Sequence, residues 1–177
     1  IQEYAKRFSE KVFYFPPGID FDKFEIALES NKDIPNDLSN ITSPIIGYIG
    51  ALGKVLDQDL LCDLARQCSN FTIVLIGPEY TNIDKLKAEP NIIFLGAKPH
   101  EQLPYYIKEF DVGIVPYLCN NFTEGVYPSK LNEYLAMGVP AVSTNLREVR
   151  ESKEVYGEVA IIANNTKEFI NAVKSLV

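Results

Sequence analysis

Runs of apolar residues recur at 44–50, 71–77, 91–96, 111–117, 139–144 and 158–162, and the stretches between them carry helical spacing instead. A strand with one wet face alternates apolar and polar residues. These runs are nearly continuous, the pattern of strands covered on both faces. Over 57–68, Leu60, Leu61, Leu64, Ala65 and Cys68 fall on one helical face, with Asp59, Asp63, Arg66 and Gln67 mostly opposite, which predicts a covering helix. Helices are also predicted over 101–110, over 128–137 with Leu131 and Leu135 facing the core, and over 167–176 with Thr166 as N-cap and Glu168 in the first turn. Strand and helix in alternation predict an α/β fold, a Rossmann-like doubly wound parallel sheet. Its ligands would sit at the carboxyl ends of the strands.

The first forty residues read differently. A strand is predicted over 11–15, Pro16, Pro17 and Gly18 then punctuate the chain, and 29–43 is rich in Asn, Asp and Ser without a period. The expected organisation is therefore a connector or the end of a preceding domain over 1–42, and one domain over 43–177. A length of 177 residues suits a single such domain, and a start at Ile1, in mid-pattern, reads as a piece of something longer.

Composition narrows the function classes. With 46% hydrophobic and 23% charged residues the chain is an ordinary globular one, and no apolar run approaches the ~18 residues of a spanning helix. A net charge of −7 repels phosphate backbones, so no nucleic-acid partner is expected. Cys62, Cys68 and Cys119 lack ligand spacing and read as structural thiols. His100 is the single histidine, so neither a metal site nor most hydrolase triads can be built. Following Pro99 and preceding a helix, His100 reads as a capping or exposed residue.

Candidate chemistry lies where strands end. Gly47, Gly50 and Gly53 follow one another at three-residue spacing with Lys54 beyond, and glycines there let backbone N–H groups approach a phosphate. The spacing is not that of the dinucleotide fingerprint, and a tight turn explains it equally. The next strand ends at Gly77-Pro78-Glu79, where a dinucleotide-binding domain would hold a ribose. The most informative stretch is 124–144, read as loop, helix, stop and strand. In it Gly125 gives the loop freedom, Pro128 suits the first turn and Gly138 ends the helix. Lys130 adds a positive charge in the first turn. Glu133, three residues on, shares its face and has the acceptor geometry for a ribose diol. A surface Lys–Glu pair is the plain alternative.

In that stretch Pro128, Lys130, Glu133, Tyr134, Leu135, Ala136, Gly138, Pro140, Val142 and Thr144 resemble the donor-binding element of the retaining GT-B glycosyltransferases of family four and their relatives, glycosyl transferases group 1. Phe15-Pro16-Pro17-Gly18-Ile19-Asp20 with Phe24 is similar to the segment where the acceptor domain of these enzymes hands over to the donor domain. The runs at 91–96 and 110–116 resemble their strands leading to the base pocket and to the donor loop. The resemblance implies the donor-binding, C-terminal half of a GT-B fold that takes a UDP- or GDP-sugar for transfer to a glycan or lipid-linked acceptor. A missing N-terminal domain would hold that acceptor, and no metal or cofactor is required.

Lys130 and Glu133 would be the catalytic pair, Glu133 on the ribose hydroxyls and Lys130 on the phosphates. The nucleotide sugar would be lined by Gly125, Val126, Tyr127, Pro128, Ser129 and Leu131, by Gly50, Gly53, Lys54, Gly77 and Pro78, and around the base by Gly96, Ala97 and Lys98. Two positions depart from the family pattern. Gly125 stands where many members carry a Glu against the donor sugar, with Glu124 beside it, and Ala51 stands where members often carry an Arg, with Lys54 as the nearest cation. A subgroup with a shorter P-x-K loop lacks that Glu in the same way. The implied setting is cytoplasmic polysaccharide biosynthesis, with peripheral association at the inner membrane face left open for the full-length enzyme. Two readings of other classes remain: an NAD(P)-binding oxidoreductase domain using the Gly50 loop and Glu79, and a non-catalytic interaction domain.

Overall fold

The computed structural model describes residues 7, 17–30, 34–42 and 44–177. The strand predicted over 11–15 and the boundary at residue 43 lie outside them. Six strands, β1 (Ile45–Ile49), β2 (Thr72–Ile76), β3 (Ile92–Gly96), β4 (Val112–Val115), β5 (Ala141–Thr144) and β6 (Ile161–Ala163), form one sheet in the order β3-β2-β1-β4-β5-β6. Every pairing is parallel, with Ile46 set against Ile73 on one side and Val112 on the other. The doubly wound sheet is thus as expected. Its order reverses between β1 and β4, which opens a crevice at their carboxyl ends.

The first five predicted strands stand, each trimmed at one or both ends. The sixth is corrected: predicted over 158–162, it runs over Ile161–Ala163 at the sheet edge, where Ile161 is exposed. The helices are α1 (Phe21–Glu29), α2 (Gln58–Gln67), α3 (Asp84–Lys87), α4 (Leu103–Ile107), α5 (Lys130–Ala136), α6 (Arg147–Tyr156) and α7 (Thr166–Leu176). α2 packs with α7 in one layer, while α1 lies against α4 and α5. The helix predicted over 101–110 is instead a 3-10 turn, His100–Gln102, followed by α4. Pro104 is the reason, because it lacks an N–H and its ring clashes with a preceding carbonyl, so it opens a helix and cannot continue one. The cap of α7 is Asn165 rather than Thr166: its side chain accepts from the Glu168 N–H at 2.9 Å, while the Glu168 carboxylate accepts from the Asn164 N–H at 2.9 Å. These bonds satisfy otherwise orphaned donors, and the one from the Asn164 N–H, with that from the Asn164 side chain, holds the Glu168 carboxyl below its ordinary value.

α5 is seated on the sheet by Tyr134 over Gly113, and beside it Phe110 packs over Gly47. A Cβ on Gly113 would lie 2.6 Å from the Tyr134 ring, and one on Gly47 would lie 2.0 Å from the Phe110 ring. A side chain at Gly113 would push α5 off the sheet, and one at Gly47 would displace the Phe110 ring. The Tyr134 ring is fully buried, and its hydroxyl accepts from the Ile49 N–H at 3.2 Å. Gly138 ends α5 as expected, with φ +69. Its N–H donates to the Leu135 carbonyl at 3.0 Å and that of Val139 to the Tyr134 carbonyl at 2.9 Å, the paired bonds of a Schellman motif.

Candidate functional site

Three glycines mark the carboxyl edge of the sheet. The Gly50 N–H donates to the Ile76 carbonyl at 2.8 Å and the Gly77 N–H to the Gly96 carbonyl at 2.9 Å, so the ends of β1, β2 and β3 stay laced together after the strands finish. Gly50 and Gly77 hold φ of +130 and +153, and a Cβ on Gly77 would sit 2.0 Å from the Gly50 carbonyl oxygen. The glycine requirement at Gly77 is therefore close approach of backbones.

On the other side of the crevice, residues 55–57 zip against 116–118. The Asp57 N–H donates to the Pro116 carbonyl and the Leu118 N–H to the Val55 carbonyl, both at 2.8 Å. Thr144, at the end of β5, donates its hydroxyl to the Tyr117 carbonyl at 2.8 Å. Tyr117 is thereby fixed beside the first turn of α5, where Lys130 is buried at 8% exposure. The Lys130 Nζ donates to the Tyr117 hydroxyl and lies 4.6 Å from the centre of that ring and 5.2 Å from that of Tyr48. Among the described residues, no carboxylate pairs with it. A Cβ on Gly50 would lie 3.1 Å from the Lys130 Cε and 3.5 Å from its Nζ, so the missing side chain is what lets Lys130 pack close against this backbone.

Glu133 lies one turn along α5 with its side chain 12% exposed. Burial pushes its carboxyl up from the ordinary range, opposed by His100 and then Lys130. The His100 Nε2 is 3.4 Å from its Oε1. His100 is exposed as expected, but its contact with Glu133 has no signal in the sequence. The edge thus joins a buried cation, without a carboxylate partner among the described residues, to a desolvated carboxylate, which suits a ligand with an anionic end and a hydrogen-bond-donating end.

The other expected residues divide. Gly50 faces Lys130, and Gly77 joins Gly96, as described. Pro78 accepts from the Leu52 N–H at 2.9 Å, holding the first loop to the second. Lys98 is committed to Asp37 at 2.5 Å, and the Tyr106 hydroxyl donates to the same carboxylate at 2.9 Å. Lys54 is exposed, and a Cβ on Gly53 would meet nothing within 4 Å. Gly125 is corrected: it closes a 3-10 turn, Thr123–Gly125, without positive φ and with open space around it, so its backbone freedom is not what the loop uses. Pro128 and Ser129 accept the first turn bonds, from the Leu131 N–H at 2.9 Å and the Asn132 N–H at 3.0 Å. Val126 is half-buried, and the Tyr127 hydroxyl donates to the Asn132 side chain at 2.5 Å. Leu131 is buried in the core, whereas Leu135, expected beside it, is 43% exposed. Cys119 is likewise corrected from structural to exposed, in a cleft of about 240 Å³ with Glu124, Asn145, Arg147 and Arg150. Glu79, the ribose carboxylate of the NAD(P) reading, is paired with Lys87 at 2.8 Å.

Residues 43–177 match the family model described as Glycosyl transferases group 1. The chain belongs to the glycosyl transferases group 1 family. The α/β fold expected of such a domain is the one observed. A Bacillus subtilis (strain 168) protein named as a teichuronic acid biosynthesis glycosyltransferase, TuaH, is 30% identical over 92% of this chain. This group 1 chain spans 42% of that relative's length. Among solved structures, sucrose-phosphate synthase from Thermosynechococcus elongatus aligns with 99% of the chain and 46% of its own length, at a TM-score of 0.71 and 17% identity. Anabaena HepE, solved in complex with UDP and glucose, aligns with 89% of the chain and 45% of its own length, at a TM-score of 0.62 and 17% identity. At these identities the likeness shows the fold, that of one half of a GT-B glycosyltransferase. Among the described residues, no helix of this glycosyl transferases group 1 chain is long and apolar enough to cross a membrane.

Proposed function

We propose that this chain is the donor half of a glycosyltransferase, binding a UDP- or GDP-sugar across the first turn of α5. The observation that carries the reading is the burial of Lys130 without a carboxylate partner among the described residues, one helical turn from the desolvated Glu133. A buried ammonium and a buried carboxylate each cost free energy unless a ligand completes them. A nucleoside diphosphate supplies both complements, phosphate oxygens for Lys130 and ribose hydroxyls for Glu133. The backbone of 125–129 borders the phosphates, and Gly96 with the loop to Lys98 borders the base. The structural neighbour solved with UDP and glucose supports this ligand class.

As the sugar leaves the diphosphate, negative charge grows on the departing phosphate oxygens. An ammonium already desolvated and oriented stabilises that charge without reorganisation. The acceptor, a glycan or lipid-linked sugar, comes from an N-terminal domain reached through residues 1–42, and closure of the two domains excludes water. The teichuronic acid name of the Bacillus relative supports a role in polysaccharide biosynthesis. We place the full-length enzyme in the cytoplasm, peripheral to the inner membrane face.

Calorimetric titration with UDP, GDP and NAD tests the reading. Saturable binding of UDP or GDP is expected, weakened about 10- to 100-fold by Lys130→Ala, the scale of a lost charge-assisted contact, and similarly by Glu133→Ala. Binding of NAD in preference, or diphosphate binding indifferent to both substitutions, contradicts it.

A further inference from the structure

Lys130 has a long, flexible side chain that would ordinarily reach into water, and holding its ammonium inside the edge of the sheet needs partners. Those partners are two tyrosines from strands that are neighbours in the sheet, Tyr48 in β1 and Tyr117 just after β4. Both are buried, and both ring faces lie within the distance at which a cation is attracted to an aromatic quadrupole. Each tyrosine is held in turn. Tyr48 donates to the Ala51 carbonyl at 3.0 Å, and the Tyr117 backbone is fixed by Thr144 at 2.8 Å. Burial, and then the neighbouring Tyr117, pushes the Tyr48 phenol up, so that ring stays uncharged. Among the described residues, Lys130 is the only buried lysine or arginine, and Lys54 on the adjoining loop is exposed. The Tyr117 hydroxyl accepts from the ammonium, which turns its own proton away from Lys130.

We propose that Tyr48 and Tyr117 are the positioning residues of the phosphate subsite, an aromatic cradle that holds the Lys130 ammonium beside the Gly50 turn, where it stands in for a clamp of several cations. The inference rests on the nucleoside-diphosphate reading of this edge and adds the residues that make a single lysine sufficient. A lysine free to move would lose side-chain entropy each time it closed on phosphate, whereas a cradled one has lost it on folding. The cradle therefore affects phosphate recognition and leaves base and ribose recognition alone.

Two measurements on the full chain test it, each with Tyr117→Phe, Tyr48→Leu and Lys130→Ala. The first is the ¹⁵Nζ–H cross-peak of Lys130 near neutral pH in the cold, assigned by its loss in Lys130→Ala. It should be visible in the parent because caged ammonium protons exchange slowly, and absent in Tyr117→Phe. The second is the ratio of affinities for UDP and uridine, or GDP and guanosine if the chain prefers guanine. Tyr117→Phe and Tyr48→Leu should each lower that ratio about 5- to 30-fold through the diphosphate alone, with nucleoside binding unchanged. A merely structural role would weaken both ligands together. A ratio that falls in Lys130→Ala but holds in both tyrosine variants overturns the cradle and leaves the donor-site reading standing. A ratio that Lys130→Ala does not move overturns both.

Discussion

At the scale of single residues, the two charges of α5 meet different environments although they sit one turn apart. Lys130 is accommodated by aromatic faces and a phenol oxygen, while Glu133 is desolvated with an exposed imidazole beside it. A carboxyl raised in the folded state binds its proton more tightly there than in the unfolded chain. Stability therefore falls as pH rises through the interval between the ordinary carboxyl value and the raised one, and stays reduced above it. His100 and Lys130, the charged groups facing Glu133, shrink that interval without reversing its sign. Glu133→Gln should accordingly raise the thermal midpoint at neutral pH by about 2–4 °C, the shift that ~1 kcal/mol produces in a chain of this size. The gain should vanish in acid, as melting curves across the carboxyl range would show. An unchanged or lowered midpoint at neutral pH would mean that Glu133 is already satisfied. Lys130 and Glu133 were legible in sequence because their spacing and flanking Pro128 and Gly138 place them on one short helix. Tyr48 and Tyr117 were not, because each reads as one more apolar strand residue and their meeting at Lys130 depends on the pairing of β1 with β4.

Among the elements, legibility follows how much of a segment is buried. Four of the six strands stand out because every residue is buried, and the edge strand β3 keeps an apolar run although only Ile92 is buried, whereas the edge strand β6 leaves Ile161 exposed and loses its signal. α2 shows its stripe through five buried residues, while α1 buries only Phe24 and Ala27, and α6 only Val149 and Ser152. Neither α1 nor α6 was foreseen, since two buried positions in nine or ten make no period. α5 is fixed at its end by hydrogen bonds rather than burial. Gly138→Ala should cost about 1–2 kcal/mol by calorimetric unfolding, because φ of +69 penalises a Cβ even where nothing lies within 4 Å of it. The change lies at the far end of α5 from Lys130, so diphosphate affinity should hold. A loss of affinity equal to that of Lys130→Ala would show that the helix end controls the site.

For the whole molecule, the doubly wound order β3-β2-β1-β4-β5-β6 determines which loops converge. The switch between β1 and β4 brings the Gly50 loop, Tyr117 and the start of α5 to one crevice from positions far apart in the chain. This convergence was foreseeable from the crossover rule, while the commitment of Lys98 to Asp37 was not, because Asp37 lies in a segment without a period. On the proposed reading this crevice takes the donor, and the chain spans 42% of its Bacillus relative's length. The most direct test of the central claim is a crystal structure of the chain with UDP or GDP bound. Both ribose hydroxyls should lie within about 2.5–3.0 Å of the Glu133 carboxylate and a phosphate oxygen at hydrogen-bond distance from the Lys130 Nζ. A nucleotide seated along the Gly77–Glu79 turn, or in the cleft between Cys119 and Arg150, would contradict the account.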